Sequence, residues 1–520
     1  MATVALSSKA GKWIMVSCIM ASAMAFIDGT ALNVVLPALQ KNLNAGATDL
    51  FWLLNAYLLI LAALIIIGGS LGDKLGRKKV FMAGIFVFIC GSAACGFAVD
   101  VTWLIIFRVL QGLGGAFMIP GSLSLISSSI NAKERGKAIG TWSAFTTVVT
   151  MGGPILGGAF ADAGLWRYIF FINIPIGVAA LIILWKQVAE SREADEGSAI
   201  DIWGATTIAL GLATLTFGFL RMPALGFQHW QVYGSLSTGI VLLFVFVIIE
   251  KKSKHPMMPL QLFKNMTFSG ANLLTLFLYA GLGAGMLFLG LNMVQVQGYS
   301  QLQSGLTFLP FTLLMISIAR FAGALADKHG PRLFLIGGPT LAGLGLLVLS
   351  FVKQTNGPSD YLTTFFPGIV LFGTGMSFTV SPLTAAVMGS VSEHFSGVAS
   401  GVNNAITRVA NVFANAILGA LAVVFFSGAL QTELKNVQLS GNTKQEVLHQ
   451  SSNLGNAKPP KNIPRSEKQT IKKAYKQSFI SAYGNVMRIS ALLAFTGALM
   501  ALFFIRNSAV KQQTNRSSAE

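Results

Sequence analysis

The chain has 520 residues, of which 53% are hydrophobic and only 11% are charged, and its mean hydropathy is +0.66. A soluble domain carries about 25% charged residues, so this composition excludes an ordinary soluble fold. The net charge of +18 would suit nucleic-acid binding in a soluble protein. Here the basic residues are scattered over many short segments instead of one module, which argues against a nucleic-acid partner.

Long uncharged stretches predict an all-α polytopic membrane protein, because a helix needs about 20 apolar residues to cross a bilayer. The two terminal segments and the short segments between spans contain 20 Lys or Arg on one side of the membrane and four on the other, which predicts that both termini are cytoplasmic. Fourteen spans are predicted, at 13–36, 51–71, 80–99, 101–124, 138–161, 168–188, 201–221, 232–250, 268–293, 303–325, 333–353, 361–389, 398–427 and 486–506.

Span 1 contains Asp28, the only acidic residue predicted well inside a span. Burying a carboxylate in a membrane costs several kcal/mol, so intramembrane acids usually have a function. Asp28 is therefore a candidate proton carrier, and the alternative is an aspartate that only makes structural hydrogen bonds.

Span 4 contains Arg108 at a matching depth. Asp28 lies eight residues from the outer end of span 1, and Arg108 lies seven from the outer end of span 4. At a rise of about 1.5 Å per residue, both lie roughly 10–12 Å below the outer surface, so they could share one cavity. The alternative is a static ion pair.

The segment between spans 2 and 3 is rich in glycine and charge, and a weaker copy lies between spans 10 and 11. The first copy contains Asp73 and the second contains Asp327, 254 residues later. Eight spans separate the copies where a six-helix repeat would have six, so we expect an N-terminal six-helix bundle (1–190), an inserted pair of spans 7 and 8 (200–252) and a C-terminal six-helix bundle (262–520). Repeated halves are typical of secondary transporters.

Span 13 has a polar face, because its polar residues are spaced at i, i+4, i+7 and i+11. Polar residues at this depth face a bundle interior or a wet cavity, and the alternative is hydrogen bonding that only holds helices together. The residues are Asn404, Arg408, Asn411 and Asn415.

A long outer segment, 428–485, follows span 13. Its first part, 436–464, is polar and contains Gly and Pro, which predicts poor order. Its end has Ile471, Tyr475, Phe479 and Ala482 at helical spacing among lysines. This pattern predicts an amphipathic helix on the outer membrane surface before span 14.

Five segments resemble the major facilitator superfamily, and more closely its fourteen-helix drug/proton antiporter branch. The resemblance covers nearly the whole chain. The segments are 69–79 (Gly69 to Lys79), the span 1 stretch from Asp28 to Pro37, the span 4 stretch from Arg108 to Gly115, the span 5 stretch from Gly153 to Gly158, and Trp166-Arg167 with Asn173-Ile-Pro175. The sequence departs from the family pattern at Val149 in span 5 and at Ala410, Asn411 and Ala414 in span 13, where the family usually has small residues or glycine.

The resemblance implies roles for particular residues. Asp28 and Arg108 would couple transport to protons. The cytoplasmic motif of Gly69, Asp73, Gly76, Arg77 and Lys78 would act as a latch between the segment joining spans 2 and 3 and the start of span 13. The antiporter motif would comprise Gly153, Pro154, Gly157 and Gly158. Candidates for the substrate cavity are Asn33, Trp52, Tyr57, Gln111, Gln295, Asn404, Arg408 and Asn411.

The function expected is proton-coupled export of small organic compounds, drugs or amphipathic metabolites, across a bacterial inner membrane by a monomer. No nucleotide-binding motif, metal site or cofactor site is found, which argues against ATP-driven transport and against an enzyme. The alternatives are a dedicated exporter of one metabolite, such as a siderophore or an antibiotic, and a membrane receptor or enzyme. The need for a periplasmic adaptor partner cannot be read from the sequence.

Overall fold

A computed structural model describes residues 4–190, 201–253, 260–391, 396–435, 441–460 and 463–506, together with 256, 258, 437 and 439. This part of the chain is helical and contains no strand. Short 3-10 helices lie at Leu260–Lys264, Pro358–Asp360 and Gln450–Asn456. The α-helices are α1 (Lys9–Asn42), α2 (Ala47–Leu75), α3 (Arg77–Phe97), α4 (Val101–Ser129), α5 (Ala132–Asp162), α6 (Tyr168–Phe171), α7 (Asn173–Gln187), α8 (Ile202–Leu225), α9 (Trp230–Lys252), α10 (Met266–Gln295), α11 (Gln301–Leu306), α12 (Leu309–His329), α13 (Arg332–Leu349), α14 (Tyr361–Gly389), α15 (Ser396–Glu433), α16 (Gly441–His449) and α17 (Arg465–Phe504).

Twelve helices in the described part are long and apolar enough to cross a membrane. Two of the twelve spans each consist of two consecutive α-helices. One combines α6 with α7, and the other combines α11 with α12. The helices α2 and α5 also coincide with predicted spans but are not among the twelve, and some of their side chains lie outside the described residues. The count of fourteen spans therefore stays a prediction.

The helices pack in two groups with one pair between them. In the first group α1 packs on α5 and α7, while α4 packs on α2 and α3. In the second group α10 and α13 both pack on α17, and α14 packs on α12 and α13. The pair α8 and α9 pack on each other, and α8 also touches α2 and α15. The division at 1–190, 200–252 and 262–520 agrees with this packing but stays a prediction.

The long outer segment differs from what its sequence pattern predicts. Part of the stretch predicted to be poorly ordered forms α16 and the 3-10 helix at Gln450–Asn456. The predicted surface helix and span 14 form the single helix α17.

The apolar face of the first part of α17 is buried in protein, not in the membrane surface. Ile471, Tyr475, Phe479 and Ala482 are each at most 2% exposed. The Tyr475 ring stacks on Phe426 of α15, and its hydroxyl donates to the Val447 carbonyl at 3.1 Å. The prediction of an interfacial helix is wrong because helical periodicity shows that one face is buried but not what buries it.

Candidate functional site

A buried ion pair joins α1 to α4. The guanidinium of Arg108 donates from Nη1 to Asp28 Oδ2 at 2.5 Å, and both side chains are only 1% exposed. The two side chains are in direct contact, a geometry that also fits the static ion pair left open as the alternative. Whether they exchange protons with the cavity stays a prediction.

Gln111 completes a three-membered ring of hydrogen bonds with the pair. Its Oε1 accepts from Arg108 Nη1 at 2.7 Å, and its Nε2 donates to Asp28 Oδ1 at 2.9 Å. Residues three apart share a helix face, which is why α4 presents both side chains to α1. Gln111 is fully buried. The structure thus places it in the charge network, whereas the sequence suggested a cavity wall.

The helix α2 closes the third side of the network. The Tyr57 ring lies under the guanidinium, with Arg108 Cζ 4.3 Å from the ring centroid, and Arg108 Nε donates to the Leu53 carbonyl at 3.5 Å. A cation over an aromatic face is stabilised by the ring quadrupole. The Tyr57 hydroxyl is buried and has no hydrogen-bond partner among the described residues.

The arrangement neutralises one negative charge inside the helix bundle. With Asp28 ionised, both of its oxygens accept hydrogen bonds and its charge is balanced. Removing one partner of a buried pair costs about 3–5 kcal/mol, so the packing of α1, α2 and α4 around the pair depends on both charges.

The remaining cavity candidates lie on α1, α2, α10 and α15. Asn33 and Trp52 are half-buried on α1 and α2. Gln295 is the last residue of α10, and its Nε2 donates to Gln40 Oε1 at 2.7 Å. It helps line a narrow cavity that Leu454 also lines, so it lies at the end of the bundle that carries the segment 428–485.

The polar face of α15 varies in exposure along its length. Asn404 is exposed, Arg408 and Asn411 are half-buried, and Asn415 is buried. Asn411 donates to the Thr407 carbonyl of its own helix at 2.9 Å. Arg408 lies within electrostatic reach of the Tyr57 and Tyr279 hydroxyls. Among the described residues, no carboxylate pairs with Arg408.

The glycines of α5 allow two close helix contacts. A Cβ on Gly157 would lie 2.7 Å from the Ala31 carbonyl oxygen, and one on Gly153 would collide with Thr30 Oγ1, so α5 packs directly on α1. A Cβ on Gly158 would collide with the Gln301 carbonyl oxygen of α11. The carbonyl of Pro154 approaches α11 just as closely, at Gly305. This motif therefore joins the two helix groups.

Hydrogen bonds join the loop motif between α2 and α3 to the residues that follow α7. Gly76 has a φ of 109°, in the region that favours glycine. Lys78 Nζ donates to the Val188 carbonyl at 2.7 Å. The Glu190 carboxylate accepts from the backbone of Lys78 at 2.9 Å and of Lys79 at 3.1 Å, and so caps the start of α3.

Glu190 was not anticipated, because no local spacing connects it to a segment more than 110 residues away. The latch to the start of span 13 stays a prediction. The surroundings of Gly69, the side chain of Asp73 and residues 392–395 lie outside the described residues. Arg77 is half-buried.

Comparison with known proteins supports a single family. The family model of the Major Facilitator Superfamily matches residues 18–415. The multidrug resistance protein Stp of Mycobacterium tuberculosis (strain CDC 1551 / Oshkosh) is 30% identical over 92% of this chain and 88% of its own length. The tetracenomycin C resistance and export protein of Streptomyces glaucescens is 29% identical over 92% of this chain and 89% of its own length.

Solved structures show the same fold at low sequence identity. A bacterial homolog of the human lysosomal transporter Spinster, in an inward-facing and unoccupied conformation, superposes with a TM-score of 0.67 at 17% identity, covering 95% of this chain and 98% of that chain. Sequence, family model and fold agree over most of the chain, and they identify a transporter, not an enzyme. The chain belongs to the Major Facilitator Superfamily.

Proposed function

We propose that this transporter exports small organic compounds, drugs or amphipathic metabolites, in exchange for protons. The observation that carries the proposal is the buried ring of Asp28, Arg108 and Gln111. A carboxylate in this position can alternate between an ionised form that Arg108 neutralises and a protonated form that frees Arg108. Relatives named for multidrug resistance and for resistance and export support the outward direction and the class of cargo.

The proposed cycle uses the two forms of Asp28 to favour two conformations. A ligand shifts a conformational equilibrium only through different affinities for the two states, and here the proton is that ligand. The glycine motif of α5 would provide the surface on which the two helix groups rock, and the motif at 69–79 would latch the cytoplasmic side. We further propose fourteen spans with both termini in the cytoplasm, in a bacterial inner membrane, and a monomer that works without a cofactor.

Transport by purified protein in proteoliposomes tests the proposal. An imposed pH gradient should drive labelled compound against its own gradient, and a protonophore that collapses the pH gradient should abolish the accumulation. Accumulation that continues after the protonophore is added would exclude proton coupling.

A dedicated metabolite exporter is the second candidate function. One relative is named for resistance to, and export of, the single antibiotic tetracenomycin C. A panel of unrelated drugs and aromatic antibiotics in the same assay separates the two candidates. A multidrug exporter should move several scaffolds at comparable rates, whereas a dedicated exporter should move one scaffold and its close analogues.

A further inference from the structure

Asp162, the last residue of α5, binds the first turn of α11. Its carboxylate accepts three hydrogen bonds from residues 300–302: the Ser300 hydroxyl at 2.5 Å, the Gln301 backbone at 2.8 Å and the Leu302 backbone at 2.9 Å. We call these contacts the outer clasp, because they lie at the end of the bundle that the charge bias places outside the cytoplasm.

The outer clasp connects the two helix groups. Gly158 lies one turn before Asp162 on the same face of α5 and leaves no room for a side chain against Gln301. The Gln301 amide, in the orientation that satisfies both partners, donates to the Val34 carbonyl at 3.0 Å and accepts from the Ala38 backbone at 3.2 Å. The start of α11 is therefore held by α1 and α5 together.

The cap of α11 is shared between its own residues and α5. Ser300 Oγ accepts from the Gln303 backbone at 3.2 Å, and the Gln303 side chain accepts from the Ser300 backbone at 2.9 Å. This reciprocal capping box satisfies two N–H groups at the start of the helix. The Asp162 carboxylate accepts from the two between them, on Gln301 and Leu302, so the start of α11 is fully capped when α5 is in contact with it.

We propose that Asp162 is a positioning residue of the transport cycle, which holds the outer exit closed except in the state that releases cargo. This inference rests on the proposed function, because it assumes that the outer ends of the two groups separate once per cycle. Hydrogen bonds to a charged group are stronger than neutral ones. Because Asp162 is exposed to solvent, water can replace its partners when the exit opens. A contact present in one state only biases the equilibrium between the states.

The test measures the distance between the two groups at the outer end. Cys18, Cys90 and Cys95 are first replaced in the full-length chain, and spin labels are attached at Ala163 and Gln354, which are both exposed. Pulsed electron paramagnetic resonance in lipid nanodiscs then reports the fraction of open molecules. Asp162→Asn should raise the ratio of open to closed molecules on the order of fivefold, because it removes the charge and one acceptor. Asp162→Glu should lie closer to the wild type.

Asp100→Asn is the matched control. Asp100 is also an exposed carboxylate at the outer end, but it accepts from the Trp103 backbone at 3.0 Å within its own helix group, so its loss should leave the distances unchanged. Ser300→Ala removes one partner of Asp162 and should cause a smaller shift in the same direction. Unchanged distances in both Asp162→Asn and Ser300→Ala would overturn the inference. Proton-driven transport measured on the same preparations would show separately whether the proposed function holds.

Discussion

At the scale of single residues, the buried ion pair of Asp28 and Arg108 predicts how substitutions change stability and transport. Both groups are out of water, and each depends on the other for neutralisation. Breaking a buried pair is expensive because the remaining charge stays buried. We predict that Arg108→Gln lowers the free energy of unfolding by about 3–5 kcal/mol and abolishes transport.

A double-mutant cycle checks this prediction. Asp28→Asn in the Arg108→Gln background removes the unpaired carboxylate and should restore part of the lost stability, measured as the midpoint of thermal unfolding in detergent. Each variant should elute as a single species in size-exclusion chromatography. Additive losses in the double variant would show that the two charges do not stabilise each other.

The charges of the interior also predict which cargo is moved. Asp28 is already neutralised, which leaves Arg408 as a half-buried cation with no paired carboxylate in the described part of the chain. Two unpaired positive charges on a compound are costly in a low-dielectric cavity without counter-charges. We predict that dications are poor substrates and that neutral, monocationic or anionic compounds are preferred, with Arg408 contacting anions.

Paired analogues of one scaffold test this charge prediction. The monovalent member should be exported faster than the divalent one by the wild type. Arg408→Gln should reduce the export of an acidic analogue more than that of its neutral amide. If the wild type exports the divalent member equally well or better, the interior charges do not select the cargo.

At the scale of elements, the close packing of α5 on α1 is the feature most open to test. A Cβ on Gly157 would meet backbone at 2.7 Å, whereas a Cβ on Gly152 meets nothing within 4 Å. Alanine in a helix interior is otherwise favoured over glycine by about 0.5–1 kcal/mol. We therefore predict that Gly157→Ala lowers the unfolding midpoint and the rate of transport, while Gly152→Ala leaves both unchanged or slightly raises the midpoint. Equal effects of the two substitutions would show that close packing at Gly157 is not required.

The outer segment shows where element predictions from sequence stop. Its helical periodicity at 471–482 correctly predicts a helix with one buried face. The same pattern fits a membrane surface and a protein surface, because both remove apolar side chains from water. Only the tertiary contacts of Tyr475 with Phe426 and Val447 distinguish the two.

At the scale of the whole molecule, the sequence predicted what depends on regular geometry. The fixed rise of a helix placed Asp28 and Arg108 at one depth, and glycine spacing identified the face of α5 that makes close contacts. Contacts between distant segments were missed. The outer clasp links residues 138–140 positions apart, so no local pattern identifies it. One weak signal was available, since Asp162 follows Gly158 by one helical turn and extends the same face.

The central claim is that Asp28 carries the proton that drives export. It is tested most directly by Asp28→Asn in proteoliposomes with an imposed pH gradient. Asparagine keeps the size of the side chain and one of its two acceptors but cannot titrate. The account predicts that this variant no longer accumulates compound against its gradient, yet still binds the compound and exchanges it passively. Undiminished uphill transport by Asp28→Asn would contradict the account.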